Sequence, residues 1–165
     1  RQALPRELPY KDAVYNVSRV GLLPAAMNPV VLAQAAQQGK SGVAAAPAQD
    51  ADTCACSGGT RESAFADELA AAQAQSNALL FTATQDKLPQ PYRGALMPPS
   101  TELIALFRSK GYAAAVSGAG PCVLVLHYGN AREAIDQIAS EQLASGHWRV
   151  LHLPINTAGV EIERR

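Results

Sequence analysis

The sequence is poor in cysteine, has no excess of either charge and contains no long apolar run, and each lack excludes a class of protein. Three cysteines without a C-x-x-C pair give no disulfide framework, which indicates a reducing compartment such as the cytoplasm. Fourteen basic residues balance fourteen acidic ones, so strong attraction to nucleic acid or to an anionic membrane is not expected. Because no stretch of about 18 apolar residues is present, no transmembrane helix is expected.

The sequence also lacks an initiator methionine and an N-terminal secretory signal, since it opens at Arg1 with R-Q-A-L-P. We therefore expect a processed or truncated product whose missing part holds essential chemistry. The length of 165 residues is that of one domain, and no internal repeat is visible.

Helices and strands are predicted along most of the chain. Apolar periodicity, prolines and capping residues predict helices at 12–23, 29–37, 61–84, 101–110 and 131–145. Asp12, Thr60 and Ser100 are the expected N-caps of three of them, and Pro24 is expected to kink or end the first. Apolar runs predict strands at 112–116, 122–126, 147–154 and 160–162.

The order of these elements indicates the fold class. Residues 38–59 have no apolar period and few large side chains, so we expect a flexible inserted loop there. The second half reads helix, strand, strand, helix, strand, which favours an antiparallel sheet with helices on one face. The sequence therefore predicts an α+β fold, specifically a ferredoxin-like split-βαβ sandwich.

A turn of small residues, S-G-A-G-P at 117–121, joins two of the predicted strands. Two glycines and an alanine let another backbone or a phosphate approach closely, and backbone N–H groups in such turns can bind anions. The turn matches neither common phosphate-binding motif, however, and an ordinary hairpin turn is the more frequent meaning of this pattern.

A proline-rich segment at 88–99 is predicted to form turns, and Q-P-Y-R at 90–93 within it is the second candidate for chemistry. Its prolines stiffen the backbone around Arg93, and a held guanidinium can bind a carboxylate or phosphate through two parallel hydrogen bonds. Asp86 and Lys87, just before it, fit either an active-site pair or a solvated helix end, and we favour the solvated helix end. The histidines and cysteines are too scattered to predict a metal site.

Three motifs together resemble one family. They are D-A-V-Y-N-V-S-R-V at 12–20, D-K-L-P-Q-P-Y-R-G-A-L-M-P at 86–98 and V-S-G-A-G-P-C-V-L at 116–124. In this order they resemble the C-terminal half of the homoserine kinases, a family of the GHMP kinase superfamily. The small-residue turn is typical of the superfamily, and Q-P-Y-R-x-x-L-M-P of the homoserine kinases.

The resemblance implies transfer of the γ-phosphate of ATP, with Mg²⁺, to the side-chain hydroxyl of L-homoserine, a step of threonine biosynthesis. It implies that Arg93 and Arg1 bind the carboxylate of homoserine and that the backbone of Gly118 lies at the substrate. It further implies that four other residues of the turn support a phosphate-binding loop: Ser117, Ala119, Gly120 and Pro121.

The chain also departs from the family pattern. Pro89 stands where a histidine is usual, Pro24 interrupts the first helix, and 38–59 looks inserted. The phosphate-binding loop belongs to the family's N-terminal half, of which residues 1–10 would be a remnant, with 11–165 the C-terminal domain. We expect this chain alone to be inactive, to require the missing N-terminal half as a partner, and to expose apolar surface that permits a homodimer.

Two alternatives stay open at this point. One is a superfamily kinase for a different small alcohol, which would not need Arg93. The other is a non-catalytic ferredoxin-like module that binds an amino acid or a partner chain, since a fold does not fix a function.

Overall fold

The computed structural model describes residues 4–27, 59–153 and 162 of the chain. Several predicted features lie outside these residues: the helix at 29–37, the loop at 38–59 apart from its last residue, and Arg1. Of the predicted strand at 160–162 only Ile162 is described, and it has no strand conformation.

The first helices form an N-terminal pair. Helix α1 spans Tyr10–Val20 and helix α2 spans Leu23–Ala26. The prediction that Asp12 caps α1 is wrong, because Pro9 precedes the helix and Asp12 lies in its first turn, where its N–H donates to the Pro9 carbonyl at 2.9 Å. Pro24 lies in the first turn of α2, where a helix needs no N–H from that residue.

The longest helix, α3, spans Gly59–Ala83 and confirms the helix predicted at 61–84. It begins earlier than expected, so Thr60 lies inside it and not at a cap. Leu69 and Leu80 are buried, as its apolar spacing predicts.

Two helices follow where the sequence analysis expected turns and one helix. Helix α4 spans Pro89–Gly94 and was missed, although prolines fit the first turn of a helix. Helix α5 spans Pro98–Ser109, and the expected capping role of Ser100 is wrong because Ser100 lies within its first turn. Gly111, with φ of +85°, follows the end of α5, a position and conformation that glycine favours.

The two central strands form an antiparallel hairpin. Strand β1 spans Ala113–Val116 and strand β2 spans Val123–Leu126, with Ala113 opposite Leu126 and Val116 opposite Val123. The hairpin and its small-residue turn are therefore as predicted.

Apolar clusters cover both faces of this hairpin, so the expectation of helices on one face is wrong. Ala113 and Leu126 pack with residues of α2 and α3, including Ala26 and Leu80. Because side chains alternate along a strand, the intervening residues face the other way, where Ala114 and its neighbours pack with α5. The members of this second cluster from α5 are Leu103, Ile104, Leu106 and Phe107.

The C-terminal part departs most from prediction. The helix expected at 131–145 is divided into α6, Arg132–Ile138, and α7, Ser140–Ala144, by non-helical backbone at Ala139. Residues 147–153 form no strand in the described structure, since no backbone hydrogen bond joins them to β1 or β2 and Leu151 and Leu153 are exposed. With two strands described, the structure is a mixed helical fold with a small sheet, and the ferredoxin-like arrangement is not confirmed.

Candidate functional site

The turn between β1 and β2 uses its own backbone groups for internal hydrogen bonds. The Ser117 N–H donates to the Cys122 carbonyl at 2.8 Å, and the Gly120 N–H donates to the Ser117 carbonyl at 3.1 Å. Pro121 has no N–H to offer. Within the described residues the N–H groups of Gly118 and Ala119 have no acceptor, so the turn is partly closed by its own bonds and keeps two donors free at its tip.

Three contacts fasten this turn to the proline-rich segment. The Val116 N–H donates to the Gln90 side-chain oxygen at 3.1 Å. The Ser100 hydroxyl, almost fully buried, donates to the Pro121 carbonyl at 2.6 Å. The sulfur of Met97 fills the space beside Gly120, so the two motifs that the sequence analysis singled out form one packed unit.

Gly118 stands at the exposed tip of the turn with φ of +62°. A β-carbon built on it would meet no atom within 4 Å. The backbone of Gly118 is thus open to approach by a ligand, in contrast to Gly120, whose α-carbon is covered.

Arg93 lies in the last turn of α4 and is half-buried. Its carbonyl accepts a hydrogen bond from the Leu96 N–H at 2.9 Å, which fixes the backbone after the helix. Among the described residues, no carboxylate pairs with the Arg93 guanidinium. Arg1 lies outside those residues, so of the two predicted carboxylate-binding arginines the structure describes Arg93.

Side chains of α1 hold the segment that leads into α4. The Tyr15 hydroxyl donates to the Gln85 side-chain oxygen, and the Asn16 amide nitrogen donates to Asp86 Oδ1 at 2.5 Å. The Lys87 ammonium lies over the Tyr15 ring, 4.1 Å from its centroid. The interpretation as a solvated helix end is therefore wrong for Asp86, which is half-buried against α1, while Lys87 is exposed and contacts α1 at the Tyr15 ring.

The sequence analysis missed Asn16 as a residue that positions the site. The available signal was its place inside the first motif. Without knowing that α1 lies beside Asp86, that signal could not be given a role.

Arg108 is a second contact residue that was not predicted from the sequence. Its guanidinium donates to the Phe81 carbonyl at 2.6 Å and to the Ala114 carbonyl at 2.9 Å, and it lies 4.2 Å from the centroid of the Phe81 ring. It thereby ties the end of α3 to β1. Burial lowers the pKa of Arg108 from its ordinary value, but arginine stays charged at neutral pH.

The described residues contain no cluster of three metal-ligating side chains. His152 instead lies 3.1 Å from Asp136, and Cys122 is exposed and unpaired. The described part of the chain therefore holds no metal site made of three such side chains. No helix in this part is long and apolar enough to cross a membrane.

Comparison with known proteins gives consistent matches. Residues 63–144 match the family model described as GHMP kinases C terminal. A homoserine kinase of Clavibacter michiganensis is 31% identical over 165 residues, covering 99% of this chain and 37% of that enzyme. A homoserine kinase of Leifsonia xyli is 37% identical over 166 residues, covering 99% of this chain and 36% of that enzyme. Another, of Corynebacterium aurimucosum, is 44% identical over 86 residues, covering 52% of this chain and 26% of that enzyme.

The chain thus spans little more than a third of the length of the first two relatives. The segment matched by the family model contains α4, α5 and the hairpin, and with them Arg93 and Gly118. It does not include α1.

Proposed function

The chain belongs to the GHMP kinase family, and from this premise we propose that it provides the substrate-binding C-terminal domain of a homoserine kinase. The reaction would transfer the γ-phosphate of ATP to the side-chain hydroxyl of L-homoserine, a step in threonine biosynthesis. The observation that carries the proposal is that Arg93 stands on a segment packed against the hairpin turn that bears Gly118.

Arg93 is proposed to bind the carboxylate of homoserine. A guanidinium can bind a carboxylate through two parallel, charge-assisted hydrogen bonds, which fix both the position and the orientation of the substrate. Because phosphoryl transfer depends mainly on positioning and charge neutralisation, such orientation would bring the side-chain hydroxyl into line with the γ-phosphate. The half-burial of Arg93 and its lack of a described acidic partner support this role.

Gly118 is proposed to lie against the substrate, and the rest of the turn to act as a support. The open space around Gly118 favours close approach of a ligand to its backbone. Ser117, Ala119, Gly120 and Pro121 would brace a phosphate-binding loop contributed by other residues of the enzyme. The internal hydrogen bonds of the turn support this role, because they fix its backbone.

ATP and Mg²⁺ are proposed to be held by residues other than those described here. The relatives are much longer than this chain, which leaves room for a separate nucleotide-binding domain, of which residues 1–10 would be the last part. Arg1 would then reach the substrate from that side as a second carboxylate ligand. A homodimer stays a prediction, which sedimentation of the intact protein would test.

A substrate panel tests this function. We expect the intact protein to phosphorylate L-homoserine in the presence of ATP and to be far less active on 3-amino-1-propanol, which lacks only the carboxylate. Equal activity on both alcohols would favour a kinase for another small alcohol. Binding of homoserine without phosphorylation of any alcohol would favour the non-catalytic module.

A further inference from the structure

We propose that Asn16 and Asp86 act as a positioning pair that holds α4, and with it Arg93, in the geometry that binds substrate. This inference rests on the proposed role of Arg93. Asn16 lies on α1 and Asp86 precedes α4, and the resemblance assigns neither residue a role at the substrate.

Asn16 makes one hydrogen bond to Asp86 and a second to the residue that follows it. The Asn16 side-chain nitrogen donates to Asp86 Oδ1 at 2.5 Å, and the Asn16 side-chain oxygen accepts from the Lys87 N–H at 2.9 Å. A single amide therefore contacts both the side chain of Asp86 and the backbone that follows it. Replacing this amide by a methyl group would remove both contacts.

Asp86 in turn organises the first turn of α4. Its Oδ1 accepts from the Leu88 N–H at 2.8 Å, and its Oδ2 accepts from the Gln90 N–H at 2.7 Å. These N–H groups have no partner inside a helix that begins at Pro89, and hydrogen bonds to a carboxylate are stronger than those between neutral groups. The carboxylate also interacts favourably with the positive end of the helix.

Helix α4 needs such support because it has six residues and two prolines. Isolated helices shorter than about 12 residues are marginal in water, so tertiary contacts must determine where α4 lies. The Asn16–Asp86 pair fixes its beginning, and Gln90 connects it to Val116 at the start of the hairpin turn. Arg93 follows Gln90 by one helical turn, so loosening the beginning of α4 would move the guanidinium relative to Gly118.

A purely structural role makes a different prediction from a positioning role. If the pair only stabilised the fold, its removal would lower the amount of active enzyme and leave the KM for homoserine unchanged. If it positions Arg93, its removal raises the KM for homoserine and leaves the KM for ATP unchanged. Misplacement of a binding group by about 1 Å can cost up to about 100-fold, so a clear effect is expected.

The experiment compares Asn16→Ala with Asn77→Ala in the intact protein. Asn77 is a matched control, since its side chain also makes two hydrogen bonds, to Tyr128 N and O, and neither involves α4 or the segment before it. We expect Asn16→Ala to raise the KM for homoserine about 10-fold, with the KM for ATP within about twofold. Asn77→Ala should lower thermal stability without raising the KM for homoserine. Equal KM effects in both variants, or none in Asn16→Ala, would overturn the proposal.

Two further measurements separate this proposal from the proposed function. In an Arg93→Ala background, Asn16→Ala should cause no further rise in the KM for homoserine, because both act through the same contact. If Arg93→Ala alone leaves that KM unchanged, the proposed function fails. Amide hydrogen exchange over residues 88–93 should become faster in Asn16→Ala and not in Asn77→Ala; unchanged exchange would overturn the positioning role whatever Arg93 does.

Discussion

The sulfur of Met97 occupies the space that a β-carbon on Gly120 would need, and its methyl carbon would lie 3.2 Å from that atom. Met97 closes the proline-rich segment and Gly120 lies in the hairpin turn, so this contact joins two motifs that are distant in sequence. Because protein interiors are closely packed, such a contact allows little change in either partner. The proposed substrate-binding residues Arg93 and Gly118 lie on the two sides of this junction.

Replacing Gly120 by alanine should be more destabilising than replacing Gly111. Both glycines have nearly the same positive φ, +83° and +85°, so both substitutions cause similar backbone strain. A β-carbon at Gly111 meets nothing within 4 Å, whereas at Gly120 it meets Met97. We expect Gly120→Ala to lower the free energy of unfolding by about 1–3 kcal/mol more than Gly111→Ala, measured by urea unfolding.

A compensating variant checks the cause of this difference. Met97→Ala should recover part of the stability lost in Gly120→Ala, since it removes the sulfur from the contested space. Equal losses of unfolding free energy in Gly120→Ala and Gly111→Ala would contradict close packing between Met97 and Gly120.

Arg108→Lys should destabilise the protein although it keeps the charge. The planar guanidinium donates hydrogen bonds to the carbonyls of Phe81 and Ala114 from two different nitrogens. The single ammonium nitrogen of lysine cannot reproduce this two-nitrogen geometry. We expect a loss of about 1–3 kcal/mol, measured by thermal or urea unfolding. Arg132→Lys, at an exposed position of α6, is the control and should be nearly neutral. A neutral result for Arg108→Lys would rule out the proposed tie between α3 and β1.

Tyr128 should make stability fall at alkaline pH. Its buried hydroxyl donates to the Ala26 carbonyl at 3.0 Å, and burial raises the pKa of Tyr128 above its ordinary value. The folded state therefore keeps its proton at a pH where the unfolded state loses it, so this stabilisation is complete below about pH 10 and declines above it.

The Tyr128→Phe variant tests this sign. It should be less stable than the parent protein at pH 8 by about 1 kcal/mol, because the hydrogen bond is lost. Its stability should then decrease less steeply than that of the parent between pH 9 and 11. Parallel pH profiles would show that the ionisation of Tyr128 does not contribute.

The elements that the sequence predicts well are those determined by local pattern. The hairpin at 113–126 is bounded by apolar runs and a small-residue turn, and α5 has a clear apolar spacing that buries Leu103, Ile104 and Phe107. In both, the residues that define the element also form its core contacts.

The elements that were predicted wrongly are those that depend on contacts with residues elsewhere in the chain. The segment 147–153 alternates like a strand, but a strand requires a neighbour, and the described structure provides none. Helix α4 looked like a series of turns because its prolines suggested interruption, and it is formed through the contacts of Asp86. Asn16 could not be recognised for the same reason, since its role exists only when α1 lies against the segment before α4.

The 165-residue chain by itself is expected to show no kinase activity. Its described residues provide Arg93 and the supporting turn but no phosphate-binding loop, and the relatives it resembles are much longer. The assay is formation of phosphohomoserine from ATP and L-homoserine, with the full-length homoserine kinase of Leifsonia xyli as the positive control. Turnover by the chain alone would contradict the division of roles proposed here.

The most direct test of the central claim is the pair of Michaelis constants of Arg93→Ala in the intact protein. If Arg93 binds the substrate carboxylate, the KM for L-homoserine should rise about 10- to 100-fold, the cost of losing a charge-assisted hydrogen-bonded pair, and the KM for ATP should stay within about twofold. Arg132→Ala, at an exposed position of α6, should change neither constant. Equal increases in both constants for Arg93→Ala, or no increase for homoserine, would contradict the account.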